Sequence, residues 1–332
     1  MMSSLFPWQH SQWQILQQRR EAEKLPHALL LVGPEGIGKK VFAENFAHSI
    51  LCSNNTENHQ ACGKCRQCQL IAVGNHPDLI VIEPEEAGKA IKIEQIRQLI
   101  NVADKSSQMG GYKVIIINPA DAMNTNAANA LLKTLEEPVR NTLLILITHR
   151  LMSLVATIRS RCQMIYFPAP SESVAIDWLQ SQSRDRLSSE KIKLLLSLAN
   201  NAPLQALHFV EEDILSVRED IFKQWIDFTN RKVDIVALSS QWNKLNLSQL
   251  LMHLKSWVSD IIKIQQAEST EIINQDFVKT LSTLAEKSST QKLFLFLDEL
   301  NKVHHWVNGN TSLNTQMLIE GLMLSWMKAI QK

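Results

Sequence analysis

This chain of 332 residues lacks any long run of apolar residues. Its longest apolar stretches, such as 143–147, are far shorter than the roughly 20 residues that a membrane-spanning helix needs. Residues 1–20 contain no continuous apolar segment of the kind found in secretion signals. We therefore expect a soluble, cytoplasmic protein with no membrane partner. An excess of one charge is also lacking, since the formal net charge is +1, and composition gives no general signal for nucleic-acid binding.

Glycine is scarce, with 10 in the chain, yet three glycines fall within the segment Gly-Pro-Glu-Gly-Ile-Gly-Lys-Lys. This segment nearly matches the phosphate-binding pattern G-x-x-x-x-G-K-[ST], whose backbone N–H groups surround phosphates. The residues that would bind phosphate are Gly33, Gly36, Gly38 and Lys39. An apolar strand at 27–32 and an amphipathic helix bearing Phe42, Phe46 and Ile50 flank the segment in the order that the motif requires. A glycine-rich turn without a nucleotide role is the alternative, which this flanking pattern disfavours.

The chain lacks the groups that would make this loop an ATPase. Lys40 stands where a hydroxyl should bind Mg²⁺; it has no lone pair, and its charge would repel the ion. After the predicted strand 113–117, active enzymes carry an Asp and a Glu, and this chain has Asn118 and Pro119. Asp121 is expected to begin the next segment instead of replacing either carboxylate. We expect no ATP hydrolysis by this chain, although Lys39 and the glycines could still hold phosphate.

Cysteine is rare, with five in the chain, but four of them fall within 52–68. These four candidate metal ligands are Cys52, Cys62, Cys65 and Cys68. In a reducing cytoplasm, this spacing is typical of a structural Zn²⁺ site, and four thiolates leave no open position for catalysis. A redox dithiol and an iron–sulfur cluster are the alternatives. His59 and His76 lie close enough to act as substitute ligands, but we favour solvated loop positions for both.

Three further segments carry a recognisable pattern: residues 129–138, Asn-Ala-Leu-Leu-Lys-Thr-Leu-Glu-Glu-Pro, a predicted strand at 142–148, and Ser160-Arg161-Cys162. Together they resemble the clamp-loader branch of the AAA+ proteins. The resemblance extends to about residue 210. It implies a RecA-like α/β P-loop domain with a zinc module, followed by a small helical lid domain and an all-α collar domain. The expected domains are 1–168, with the zinc insertion at 52–68, then 169–209 and 210–332.

Within that family, intact cysteines together with a defective loop resemble a non-hydrolysing subunit and not the gamma/tau ATPase subunits. Leu204 aligns with the family's nucleotide-sensing arginine. Arg161 aligns with its arginine finger, which implies action in trans on the ATP site of a neighbouring gamma/tau subunit. The resemblance further implies the delta subunit as a partner, and the sliding clamp and primed DNA as partners of the whole assembly. The alternatives are an active clamp-loader ATPase and a zinc-stabilised DNA-binding module.

Residues beside these motifs are expected to have structural roles. Cys162 is predicted to pack in the core. Glu136 and Glu137 would point about 100° apart on a helix, so a helix-end role, with Pro138 ending the helix, is preferred to an acid–base pair. From residue 211 onward, apolar residues recur at helical intervals, which predicts a helical core that partly contacts neighbouring subunits.

Overall fold

A computed structural model describes residues 5–86, 88–103, 105–182, 187–266, 272–307 and 314–330. Its sheet has five strands, all parallel, in the order β2-β3-β4-β1-β5. The strands are β1 (Ala28–Val32), β2 (Leu79–Ile82), β3 (Lys113–Ile117), β4 (Thr142–Thr148) and β5 (Gln163–Tyr166). Every residue of β1, β3 and β4 is buried, because helices cover both faces of a parallel sheet.

Two apolar clusters lie on the two faces of this sheet. Alternate residues of one strand point to opposite faces, so Leu29 and Leu31 of β1 belong to one cluster and Leu30 belongs to the other. The helices that accompany the strands are α1 (His10–Glu21), α2 (Lys39–Leu51), α3 (Arg66–Ala72), α4 (Ile93–Ala103), α5 (Thr125–Glu136) and α6 (Ala156–Arg159). Helices α1 and α2 contribute to the first cluster, and α4, α5 and α6 to the second. The predicted α/β fold with a P-loop after its first strand is confirmed.

The rest of the described chain is helical, as predicted. Its helices are α7 (Glu172–Gln182), α8 (Ser189–Leu198), α9 (Pro203–Glu211), α10 (Ile214–Thr229), α11 (Ile235–Trp242), α12 (Leu247–Gln265), α13 (Val278–Lys287), α14 (Thr290–Val307) and α15 (Thr315–Ala329). Helices α10 to α15 share one apolar core, with Trp225, Trp257 and Trp326 buried in it. Among the residues that the structure describes, no helix has both the length and the apolar character that crossing a bilayer requires.

The chain divides into two compact units. The first comprises 1–178 together with 200–205, and the second comprises 179–199 together with 206–332. The phosphate-loop sequence, the cysteine group and Arg161 all belong to the first unit. The helical core built by α10 to α15 belongs to the second. The three-domain boundaries expected from the family resemblance stay a prediction.

Candidate functional site

The lysine of the phosphate-loop sequence is the first residue of α2. Its ammonium donates hydrogen bonds to the carbonyl oxygens of Gly33 and Pro34, at 2.8 and 2.5 Å, and to Nδ1 of His149 at 2.9 Å. Burial lowers the pKa of Lys39 to about 8, although two nearby carboxylates act to raise it. Burial also lowers the pKa of His149, which favours the neutral ring that accepts this bond. Lys39, which would reach a phosphate, is therefore bound by carbonyl groups of its own loop and by His149, the residue that follows β4.

The loop glycines lie against other parts of the first unit. A Cβ added at Gly33 would lie 2.2 Å from the carbonyl oxygen of Phe167, and one added at Gly36 would lie 2.6 Å from Cβ of Gln205. The backbone N–H of Leu204 donates to the carbonyl oxygen of Gly36 at 2.9 Å. Leu204 therefore lies beside the loop, and its apolar side chain has no charge to offer a phosphate.

The segment that precedes α1 also packs against this loop. Nε1 of Trp8 donates to the carbonyl oxygen of Ile37 at 2.9 Å. Nε2 of Gln9 donates to the carbonyl oxygens of Ile37 and Gly38, both at 3.0 Å. The ring of Phe6 would lie 2.4 Å from a Cβ added at Gly38. Aromatic and amide side chains of this chain therefore cover one side of the loop.

Lys40, at the position of the missing Mg²⁺-binding hydroxyl, forms an ion pair with Glu83. Its Nζ lies 2.8 Å from Oε1 and 2.9 Å from Oε2 of that carboxylate. Nδ2 of Asn118 donates to the same carboxylate at 2.8 Å. Burial acts to raise the pKa of Glu83, but the hydrogen bonds from Lys40 and Asn118 outweigh it, and the pKa lies below its ordinary value. The ammonium of Lys40 thus neutralises the Glu83 carboxylate, and the Asn118 amide gives it a further hydrogen bond.

The carboxylate of Asp121 is engaged with residues at the end of β4. Asp121 lies in a 3-10 turn, Ala120–Ala122, which begins the segment after β3, as predicted. Its carboxylate accepts hydrogen bonds from Oγ1 of Thr148 at 2.9 Å, from the backbone N–H of His149 at 3.2 Å and from Nε of Arg150 at 3.2 Å. Both oxygens are therefore engaged in holding the end of β4.

The four clustered cysteines converge on one point. Their sulfur atoms all lie within 4.8 Å of one another, with Cys52 and Cys65 3.8 Å apart and Cys62 and Cys68 4.0 Å apart. A tetrahedral Zn²⁺ with bonds of about 2.3 Å places its sulfur ligands about 3.8 Å from one another. A disulfide would need about 2.0 Å, and all five cysteines of the chain are free thiols. The group could therefore hold a metal ion, and its donor set fits zinc.

Helix ends and backbone N–H groups position these sulfurs. Cys52 follows the last residue of α2, and Cys65 is the N-cap of α3. The backbone N–H of Cys62 donates to Sγ of Cys52 at 3.3 Å, and that of Cys65 donates to Sγ of Cys62 at 3.3 Å. Such donors favour the thiolate form that metals bind. The site is thus part of the connection between α2 and α3.

Neither nearby histidine joins the cysteine group. Nε2 of His59 lies 3.0 Å from Oε1 of Glu21. His76 is buried, so the solvated position predicted for it was wrong; its ring contacts Oε1 of Gln67 through Nε2 at 2.7 Å and accepts the backbone N–H of Asp78 at Nδ1. In the part of the chain that the structure describes, the group contains the four cysteines alone.

Arg161 lies between α6 and β5, beside the edge strand of the sheet. Its side chain is 34% exposed. Nη2 lies 2.5 Å from Oε1 of Glu136, and Nη1 donates to the carbonyl oxygen of Thr157 at 3.0 Å. Glu136 is the last residue of α5, as the predicted helix-end role requires. That role was incomplete, because Glu136 also forms an ion pair with Arg161, 25 positions along the chain.

Cys162, the neighbour of Arg161, packs in the apolar cluster with Ile158 and Leu154. Burial raises the pKa of Cys162 to about 12. A thiol in this state is a poor nucleophile at neutral pH. The predicted packing role is confirmed.

Family comparisons cover nearly the whole chain. A model described as DNA polymerase III, delta subunit, matches residues 8–171, and one described as DNA polymerase III, delta subunit, C terminal, matches residues 218–328. The DNA polymerase III subunit delta' of Pseudomonas aeruginosa is 35% identical over 98% of each chain. The subunit delta' of Yersinia pestis is 32% identical over 98% of this chain and 96% of its own. This chain belongs to the family of DNA polymerase III delta' subunits.

Solved structures show a more distant likeness to this delta' family member. A DNA polymerase III gamma subunit-related protein of Thermotoga maritima is 18% identical, with a TM-score of 0.46, over 95% of this chain and 99% of its own. The DNA clamp loader delta protein of Bacillus subtilis is 13% identical, with a TM-score of 0.32, over the same shares of the two chains.

The contacts of two acidic residues of this delta' family member, Glu83 and Glu136, were not predicted from the sequence. Glu83 directly follows β2, and the carboxyl ends of parallel strands meet at one edge of a sheet, so a contact with residues after β3 was open to prediction. Glu136 gave no such signal, because nothing in a helix-end glutamate indicates a partner in the segment after α6. The contacts of Trp8 and Gln9 with the loop were equally hidden from sequence periodicity.

Proposed function

We propose that this chain is a non-hydrolysing subunit of the bacterial clamp loader, a stator that donates Arg161 to the ATP site of a neighbouring gamma/tau subunit. In this role it helps to load the sliding clamp onto primed DNA during replication in the cytoplasm. The gamma/tau and delta subunits are its proposed direct partners, and the clamp and the DNA are reached through the assembly. Membership of the delta' family supports the link with DNA polymerase III.

The proposal is carried by the contrast between a loop whose two lysines are engaged by other groups of this chain and a partly exposed arginine, Arg161. Lys39 is bound to carbonyl groups of its own loop, and Lys40 is paired with Glu83 at the place where a Mg²⁺ ligand belongs. Asn118 offers an amide instead of the Mg²⁺-binding carboxylate. A chain without a route to hydrolysis has no use of its own for a transition-state arginine, so Arg161 is assigned to another subunit's nucleotide.

Arg161 has the chemistry that this role needs. A guanidinium is always charged at neutral pH and offers planar N–H groups that match phosphate oxygens. Delivered from a neighbour, it stabilises charge on the transferring phosphoryl group and raises the rate by about three to five orders of magnitude in GTPases. The partial exposure of Arg161 beside an edge strand is compatible with delivery to a partner.

The remaining parts of the proposal are structural. Cys52, Cys62, Cys65 and Cys68 would hold one Zn²⁺, which would stabilise the connection between α2 and α3 without catalysis. Residues 169–209 would form a lid domain. Residues 210–332 would form the collar through which related subunits associate.

The test is DNA-stimulated ATP turnover by a loader reconstituted with this chain, with Arg161→Ala and with Arg161→Lys. Assembly of each variant is verified by gel filtration, and the isolated chain serves as the blank. We expect no turnover by the isolated chain and a lower turnover with Arg161→Ala. Arg161→Lys should restore little of it, because a lysine keeps the charge but lacks the planar fork.

Other outcomes would identify other functions. Mg²⁺-dependent turnover by the isolated chain would make it an active clamp-loader ATPase. Tight binding to DNA by the chain alone, with a steep dependence on salt, would favour a zinc-stabilised DNA-binding module. Unchanged turnover in an assembled Arg161→Ala loader would refute the finger.

A further inference from the structure

The pair formed by Glu136 and Arg161 stands on a rigid frame. Leu135, which precedes Glu136, is 2% exposed, and Ile158 and Cys162, on either side of the Arg161 segment, are also buried. All three belong to the same apolar cluster under the sheet. The backbones that carry the carboxylate and the guanidinium are thus fixed relative to each other by core packing, and the ion pair bridges two anchored points.

The guanidinium is held from two directions. Nη2 contacts the Glu136 carboxylate at 2.5 Å, while Nη1 donates to the Thr157 carbonyl oxygen at 3.0 Å and approaches Oγ of Ser160 at 3.5 Å. Arginine has five N–H donors, so these contacts with described residues leave at least two donors for a phosphate. Arg161 can therefore act on a nucleotide without breaking its bond to Glu136.

We infer that Glu136 is a positioning residue for Arg161, whose carboxylate holds the guanidinium in the orientation that a neighbouring ATP site uses. This inference rests on the proposed function. An arginine has many rotamers, and ordering them before the transition state forms lowers the barrier. Glu136 touches no nucleotide in this account; it acts through Arg161, and its effect should therefore vanish when Arg161 is removed.

The experiment measures DNA-stimulated ATP turnover in loaders reconstituted with the full chain. The Arg161-dependent component is defined as the part of kcat that Arg161→Ala removes. The variants are Glu136→Ala, Glu136→Gln, Glu136→Ala combined with Arg161→Ala, and Glu137→Ala as the matched control. Glu137 has the same charge and the adjacent position, and it forms no ion pair with any described residue. Gel filtration verifies assembly of every loader.

We expect Glu136→Ala to lower the Arg161-dependent component about two- to fivefold, the effect of losing a partly exposed ion pair, with KM for ATP unchanged. Glu136→Gln should retain most of the component, because the amide oxygen still accepts the Nη2 bond. Glu137→Ala should retain all of it. The loader with both substitutions should have the same ATP turnover as the loader with Arg161→Ala alone. A purely structural role for Glu136 would lower the turnover further.

The contrary results are distinct. If Arg161→Ala lowers turnover but Glu136→Ala does not, the positioning role is wrong and the proposed function stands. If Glu136→Ala raises turnover, the carboxylate restrains the finger and the inference is also overturned. If the double variant is slower than Arg161→Ala, Glu136 acts by another route. If Arg161→Ala changes nothing, the proposed function and this inference fall together.

Discussion

His253 should make the second unit sensitive to acid. This residue of α12 is fully buried, and its ring stacks on Trp257 with centroids 5.8 Å apart. Neither ring nitrogen has a hydrogen-bond partner among the described residues. Burial, and to a lesser extent the charge of Arg218, lowers the pKa of His253 to about 3. The ring is therefore neutral in the folded chain at every pH at which the protein is expected to work.

The size of the effect follows from linkage between protonation and folding. An unfolded histidine has a pKa of about 6.5, and each pH unit between the two values changes the free energy of unfolding by about 1.4 kcal/mol. Because the folded pKa is the lower one, this stability is complete above pH 6.5 and is lost as the pH falls toward 3. At pH 5, the contribution of His253 should therefore lower the free energy of unfolding by about 2 kcal/mol relative to its value above pH 6.5.

The perturbation is His253→Phe, which keeps a planar ring beside Trp257 and removes the titrating group. The free energy of unfolding is measured in urea at pH 7.5 and pH 5.0, with hydrogen exchange of α12 amides to assign the transition to the second unit. Lowering the pH from 7.5 to 5.0 should destabilise wild type more than the variant. We expect the difference between their free energies of unfolding to change by about 2 kcal/mol in favour of the variant. The exposed His305→Gln serves as the control. An equal difference at both pH values would refute the reasoning.

Two further predictions concern the first unit. Cys68→Ala should abolish binding of one Zn²⁺ per chain, measured by atomic absorption, and should lower the Tm in thermal unfolding. The control Cys162→Ala should leave the zinc content unchanged. Equal zinc contents in the two variants would contradict the metal site. Gly36→Ala should cost about 1–3 kcal/mol beyond Gly74→Ala in urea unfolding, because both glycines have positive φ but only Gly36 has Gln205 at 2.6 Å from the added Cβ. Equal costs would show that the loop is loosely packed.

The sheet was predictable because its central strands are continuous apolar runs. The predicted strands at 113–117 and 142–148 have the bounds observed for β3 and β4, because each contains an uninterrupted apolar run, 114–117 and 143–147, of the kind expected in a strand buried on both faces. The helix-end role of Glu136 and the packing of Cys162 were also open to local reasoning. In each case the signal lies within a few residues of the position it describes.

Contacts between distant segments were not predictable in this way. Lys40 meets Glu83 across 43 positions, and Trp8 meets Ile37 across 29. Such pairs depend on how helices and loops return to the edge of the sheet, which no local period encodes. The sequence predicts that catalytic groups are absent, and the structure adds contacts of Lys39, Lys40 and Trp8 that the sequence did not indicate.

We propose that Arg161 serves one ATP site outside its own chain. The most direct measurement is single-turnover hydrolysis by a loader that is saturated with ATP and mixed rapidly with primed DNA, comparing wild type with Arg161→Ala. We expect the amplitude of the fast phase to fall by one ATP per loader in the Arg161→Ala loader, while the rate constant of the remaining fast sites is unchanged. An unchanged amplitude in an intact Arg161→Ala loader would contradict it.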